Sequence, residues 1–173
     1  MKLLSETKAL ERLKTLKDKF KFEISDVYEH KAKSCLTCET RGACCLDAHF
    51  VNVHISRLEA AAINETLETF SAEHQEVIRE RVDATVEKYS LNAEGDTFAQ
   101  TYACPLFEKG TGCLVHNTAK PLACITHACY ENQNDLPPGR LLTEQEAIVD
   151  DLNTKTYGRI QPWLPLPLAI KPR

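Results

Sequence analysis

The first clear rhythm along the chain is helical. Leu10, Leu13, Leu16 and Phe20 recur at spacings of three and four, the period that lines one face of an α-helix. Ser5 can cap such a helix, so the pattern predicts one from residue 5 to about residue 22. Lys14, Lys17 and Lys21 fall between the apolar positions and are expected on its solvated side. Alternation takes over at Phe50-Val51-Asn52-Val53-His54-Ile55, which reads as a short strand. Helical spacing then returns twice. Ser56 precedes a Leu- and Ala-rich helix over 57–69, and Ser71 precedes one reaching Ser90 with Val77, Ile78, Val82 and Val86 as its stripe. Asn92–Asp96 is a loop, and 97–103 is read as a strand beyond it. Thr143-Glu144-Gln145-Glu146 has the form of a capping box and predicts a helix ending near Gly158. Pro162, Pro165, Pro167 and Pro172 then predict an extended, non-helical tail.

Two stretches, 31–50 and 104–129, have no period, and they hold all 8 cysteines. The first carries Cys35-x2-Cys38 and the vicinal pair Cys44-Cys45, with Gly42 permitting a sharp turn. The second carries Cys104, Cys113, Cys124 and Cys129 among Gly110, Gly112 and Pro121. The expected organisation is an N-terminal amphipathic helix over 1–30 and a cysteine domain over 31–135. Residues 46–103 form a helical insertion in that domain, and a C-terminal helix with a Pro-rich tail covers 136–173. The fold class expected is a small single domain, α-rich and mixed α+β. Its helices pack around a loop-dominated cysteine metal site, with few short strands.

Composition narrows the function. With 173 residues, 43% of them apolar, the chain is long enough to bury a core of its own. The 21 basic and 25 acidic side chains leave a net charge of −4, which argues against a nucleic-acid partner. No apolar run suits a signal peptide or a membrane span, so neither a membrane nor an export step is expected. The expected location is cytoplasmic, where thiols stay reduced; grouped cysteines there favour metal binding or catalysis over disulfides. A secreted chain would reverse that step. With 6 glycines and only Gly110-Thr111-Gly112 as a candidate, no nucleotide-binding loop is found. No catalytic residue and no binding site for an organic cofactor stand out, which leans against an enzyme.

The candidate metal ligands are therefore Cys35, Cys38, Cys44, Cys45, Cys104, Cys113, Cys124 and Cys129. A C-x2-C pair sets two sulfurs on one turn, close enough for one ion or one cluster iron. Thiolate-rich sets suit zinc and iron–sulfur clusters alike, and the iron–sulfur cluster is favoured slightly. Cys113-x2-His116 offers a mixed pair that leans toward zinc, and His127 is the other histidine within the second group. His30, His49, His54 and His74 are read as structural or solvated. In an extended backbone the side chains of Cys44 and Cys45 would point to opposite sides. They would then serve two centres, or one would bind while the other packs. A centre shared by both groups would close the long loop 46–103, and loop closure costs entropy only slowly with length.

The order Cys35-x2-Cys38-x5-Cys44-Cys45, Cys104-Pro105-Leu106-Phe107, Cys113-Leu114-Val115-His116 and Lys120-Pro121-Leu122-Ala123-Cys124 resembles the YkgJ-type cysteine-cluster family. That family is described as zinc- or iron-chelating, and a similar domain occurs in flagellin lysine N-methylases. The resemblance spans about residues 35–129 and implies metal ligation by the seven matching cysteines, with Cys129 just beyond its usual end. The chain departs from the family in the spacer Glu39–Ala43, in Lys120 where arginine is common, and in Ile125 where a basic residue is frequent. Three functions stay open. The first is an iron–sulfur or zinc protein with a redox, sensing or metal-handling role. The second is an enzyme or accessory subunit in a redox or methyl-transfer system. The third is a structural zinc module. A protein partner is expected for each.

Overall fold

The structure is a computed structural model, and it describes residues 3–34, 38–40, 42–48 and 51–171. Among these the chain is α-rich with a little β structure: seven α-helices and six strands of two residues each. It divides into two compact units, each made of two chain segments. One unit joins 1–41 to 121–161, and the other joins 42–120 to 162–173.

The first unit is built on two long helices, α1 (Glu6–Val27) and α6 (Gly139–Tyr157). Helix α1 buries Ala9, Leu13, Lys17, Phe20 and Ile24, so its inward stripe continues one turn past the end expected from sequence. Leu10 and Leu16 are only half-buried, while Lys17 is 7% exposed and lies in the stripe instead of on the solvated side. A lysine can do this because its four-carbon stem packs as an apolar chain while the ammonium reaches outward. Helix α6 faces α1 and buries Val149, Leu152, Asn153 and Thr156. The Leu4 N–H donates to the Lys155 carbonyl at 3.0 Å and the Tyr157 hydroxyl to Glu6 Oε2 at 2.6 Å, joining the two helix ends.

Helix α6 starts five residues before its expected start, directly after Pro137-Pro138. The fixed φ of Pro138 sets up the first turn. Thr143 is no cap: its hydroxyl donates to the Gly139 carbonyl one turn back, inside the helix. Gly158 ends α6 at φ +75°, as its place in the sequence suggests. The one-turn helix α5 (Leu122–Ile125) contributes Leu122 and Ile125 to the same core. Strand β1 (Ala32–Lys33) pairs antiparallel with β5 (Cys129–Tyr130), setting Ala32 opposite Tyr130 and Lys33 opposite Cys129.

The second unit packs α3 (Arg57–Leu67) and α4 (Ala72–Lys88) against the short helix α7 (Leu166–Ile170). The cap of α3 is the one the sequence announces. The Ser56 hydroxyl accepts the Glu59 N–H at 3.2 Å, and Glu59 Oε2 accepts the Ser56 N–H at 3.3 Å. The Ser71 hydroxyl caps α4 by accepting the His74 N–H at 3.3 Å. Ile78, Val82 and Thr85 form the buried face of α4, whereas Val77 is 53% exposed and lies outside it. The predicted strand at 50–55 reduces to β2 (His54–Ile55), which pairs antiparallel with β6 (Leu164–Pro165). Phe50 lies outside the described residues.

Residues 97–103 form no strand. A single 3-10 turn, Thr97–Ala99, leads to Tyr102, which is fully buried. The Tyr102 hydroxyl donates to the Val53 carbonyl and accepts the Leu166 N–H at 3.2 Å, so this ring ties both ends of the unit's core together. The tail is helical over α7 despite its prolines, since Pro167 falls in the first helical turn, where a missing N–H costs nothing. Pro172 lies outside the described residues. Val51, Ile55, Ile63, Ile78, Val82, Leu106, Val115, Leu166 and Ile170 complete this core. Each such side chain contributes roughly 1.5–3 kcal/mol on full burial. No described helix is long and apolar enough to cross a membrane.

Candidate metal centre

The residues 104–129 carry more order than a loop. Strand β3 (Phe107–Glu108) turns back into β4 (Gly112–Cys113), with Phe107 opposite Cys113 and Glu108 opposite Gly112. Cys104 stands at the foot of this hairpin and Cys113 lies on its returning strand. Pro105 has no N–H, and the Phe107 N–H donates to the Cys104 carbonyl at 3.3 Å. The amides of Leu106 and Phe107 also draw the Cys104 pKa down, and the Val115 amide draws down that of Cys113. Backbone amides near sulfur favour the thiolate, the form that binds metal. The two thiols are near enough for charge on Cys113 to oppose ionisation of Cys104.

Cations and burial act on the same pair. Arg81 of α4 draws the Cys104 pKa down, and Lys120 draws down that of Cys113. Burial is the larger cause and outweighs them. It pushes the Cys104 thiol up to about 11 and raises Cys113 in the same direction. Arg81 Nη2 also donates to Glu108 Oε1 at 3.0 Å, and His74 Nε2 meets the same oxygen at 2.8 Å. The His74 hydrogen bond, with Arg81 behind it, holds the Glu108 carboxyl below its ordinary range. Lys120 stands in the Lys120-Pro121-Leu122-Ala123-Cys124 string, but none of Arg81, Glu108 and His74 is marked by spacing from the cysteines. Arg81 reaches them only because α4 packs beside the hairpin.

Cys44 and Cys45 lie in the one-turn helix α2 (Ala43–Leu46), not in an extended segment. The alternating geometry expected for them therefore does not hold; neighbouring helical side chains diverge by about 100°. Cys44 is exposed and Cys45 half-buried. The Cys45 carbonyl accepts the Cys104 N–H at 2.7 Å, so the two sequence groups meet through backbone here. Gly42, which precedes α2, has φ +87°, and the Phe107 ring lies directly over it.

In the first unit, Cys124 lies in α5 and Cys129 in β5, opposite Lys33. Cys38 is half-buried, with its sulfur 3.7 Å from Thr40 Oγ1. Lys33 has its pKa raised, chiefly by its hydrogen bond and charge pairing with Glu131 and further by the nearby Cys129 and Cys38 thiols. Cys35 and His49 lie outside the described residues. His30, His116 and His127 are exposed. His54 is buried, stacked on the Phe98 ring at 4.2 Å with its Nδ1 2.6 Å from the Asn52 carbonyl oxygen, a structural position.

The seven described cysteines hold no disulfide. Cys104 and Cys113 come together, but no group of three or more Cys, His, Asp or Glu among the described residues is close enough to hold a metal ion. The donor chemistry, with amides and cations that favour the ionised forms of Cys104 and Cys113, fits a thiolate-bound metal; a complete ligand set is not assembled among these residues. Compared with family models, curated proteins and solved structures, the chain gives no match to any.

Proposed function

We propose that the protein binds a metal through its cysteines, as an iron–sulfur protein by preference or a zinc protein otherwise, with a redox, sensing or metal-handling role. The observation that carries this is the Cys104–Cys113 hairpin, in which two thiols lie close together among backbone amides and two cations, Arg81 and Lys120, that favour their ionised form. A buried thiol packing as a small hydrophobe has no use for such donors, whereas a metal-bound thiolate is stabilised by each. The similarity to YkgJ-type cysteine-cluster proteins in the order of Cys35, Cys38, Cys44, Cys45, Cys104, Cys113 and Cys124 supports the same reading.

Anaerobic purification, elemental analysis and a visible spectrum test it. Iron with sulfide and a broad absorption that bleaches on reduction indicate a cluster. Stoichiometric zinc in a colourless protein indicates the zinc form. Cys113→Ser is expected to lower metal content and melting temperature together. Full thiol titration in a native protein that takes up neither metal refutes the proposal.

A further inference from the structure

In sequence the thiols form an early group and a late group, but the fold sorts them another way. The chain passes from the first unit to the second between residues 41 and 42, and back between 120 and 121. Each crossing cuts one sequence group in two. Cys44, Cys45, Cys104 and Cys113 thereby belong to the second unit, and Cys38, Cys124 and Cys129 to the first.

Contacts inside each unit join the early thiols to the late ones. In the second unit, the Cys104 N–H donates to the Cys45 carbonyl at 2.7 Å. The Phe107 ring of the hairpin also covers Gly42, the residue from which the Cys44–Cys45 turn starts. In the first unit the β1–β5 ladder sets Lys33 beside Cys129, and five residues further on the chain brings the Cys38 thiol near the same ammonium. A cation stands by the thiols in both places, as the negative charge of a metal bound to several thiolates requires: Arg81 and Lys120 in one, Lys33 in the other.

The geometry points to two separate thiolate metal centres, one within each unit. Cys104, Cys113 and Cys45 with Cys44 make the first; Cys38, Cys129 and Cys124 take part in the second. This inference rests on the metal-binding reading above and deepens it. In the second unit Cys104 and Cys113 share one hairpin, and in the first Cys129 lies opposite Lys33, whose ammonium also feels Cys38; uptake of the ion closes the ligands of each unit onto it. The vicinal cysteines stay within one centre under this arrangement.

Metal content of the full chain decides the matter, measured in Cys104→Ser/Cys113→Ser, in Cys38→Ser/Cys129→Ser and in the variant combining all four. Each double variant is expected to keep about half of the wild-type metal, and the combined variant none. Loss of all metal in either double variant overturns the inference in favour of one shared centre, while metal binding itself survives. Wild-type protein that binds neither zinc nor reconstituted iron and sulfide overturns the metal reading as well. Should a variant fail to fold by circular dichroism, titration of metal-free wild type with cobalt(II) replaces it. Thiolate-to-cobalt absorption is expected to saturate at two equivalents of cobalt per chain, and saturation at one equivalent refutes two centres.

Discussion

Gly42→Ala tests the junction that joins the vicinal cysteines to the hairpin. Gly42 has φ +87°, a region that costs an L-residue about 1–2 kcal/mol. A Cβ built there would overlap the outer ring atoms Cζ and Cε1 of Phe107, far inside contact distance. The ring must swing away and give up its packing, and overpacking of this kind costs about 1–3 kcal/mol. Because the clashing atoms are the outer end of one side chain, the lower part of that range applies. The total expected loss is roughly 2–4 kcal/mol. Gly95→Ala is the control: φ is +68° and nothing lies within 4 Å, so only the backbone strain remains. Phe107→Leu supplies the third corner, since it removes the outer ring atoms. In that background Gly42→Ala should fall to the cost of Gly95→Ala, giving a coupling of about 1–2 kcal/mol in the double-mutant cycle. Urea unfolding followed by circular dichroism, with the slope compared across variants, measures each value. The reasoning is refuted if Gly42→Ala costs no more than Gly95→Ala, or costs the same with leucine at 107.

The tyrosine hydroxyls should behave in opposite ways. Tyr102→Phe removes a hydroxyl that bonds both the Leu166 N–H and the Val53 carbonyl, which still bond each other at 2.9 Å, and is expected to cost about 0.5–1.5 kcal/mol in the same unfolding assay. Tyr130→Phe removes a buried hydroxyl with no hydrogen-bond partner among the described residues, so it should be neutral or stabilising; equal losses in both variants would refute this. The metal-free protein should weaken at alkaline pH. Burial lifts the Cys104 thiol from about 9 unfolded to about 11 folded. Keeping it protonated therefore stabilises the fold fully below the unfolded value, and the advantage is lost as pH rises through the folded one. A shift of that size corresponds to about 2–3 kcal/mol, and Cys113 adds in the same direction. Urea midpoints that fall on raising the pH from about 9 to about 11 in wild type, and fall less in Cys104→Ala, are the expected result. Midpoints that stay level in wild type would contradict it.

What the sequence made legible was local. Ser56 stands directly before an apolar helical run, and from that position its hydroxyl caps α3. Gly158 likewise marks a helix end through its own backbone freedom. The misreadings arise where a distant partner decides. Lys17 looks polar, yet the α1–α6 packing takes its stem inward. Val77 looks like part of a stripe, yet no neighbouring element covers it. Residues 97–103 suit a strand by composition but are used to deliver Tyr102 into the core. The cysteine spacings announce chemistry without announcing grouping. Which late thiol joins which early one depends on where the chain crosses between units, and no local pattern records that.

The same contacts change the part assigned to the long insertion. From sequence, a metal drawing ligands from both groups would be what closes the loop 46–103. In the fold the two ends of that loop run together before any sulfur is considered. The Cys104 N–H reaches the Cys45 carbonyl at 2.7 Å, and the Tyr102 N–H reaches the Val51 carbonyl at 2.9 Å. The Asn52 side-chain amide donates to the Phe98 carbonyl at 3.2 Å, and Tyr102 itself is buried between Val53 and Leu166. Closing a loop of this length costs a few kcal/mol, on the order of (3/2)RT ln n. The burial of Tyr102, Ile55 and Leu106 is of sufficient size to meet that cost. The closure entropy is thus offset by apolar burial and backbone pairing, and the cysteines are brought into register as a consequence. A metal bound at Cys104 and Cys113 would meet a hairpin already closed by its own backbone pairing, so its binding energy would go into fixing thiolates instead of gathering the chain.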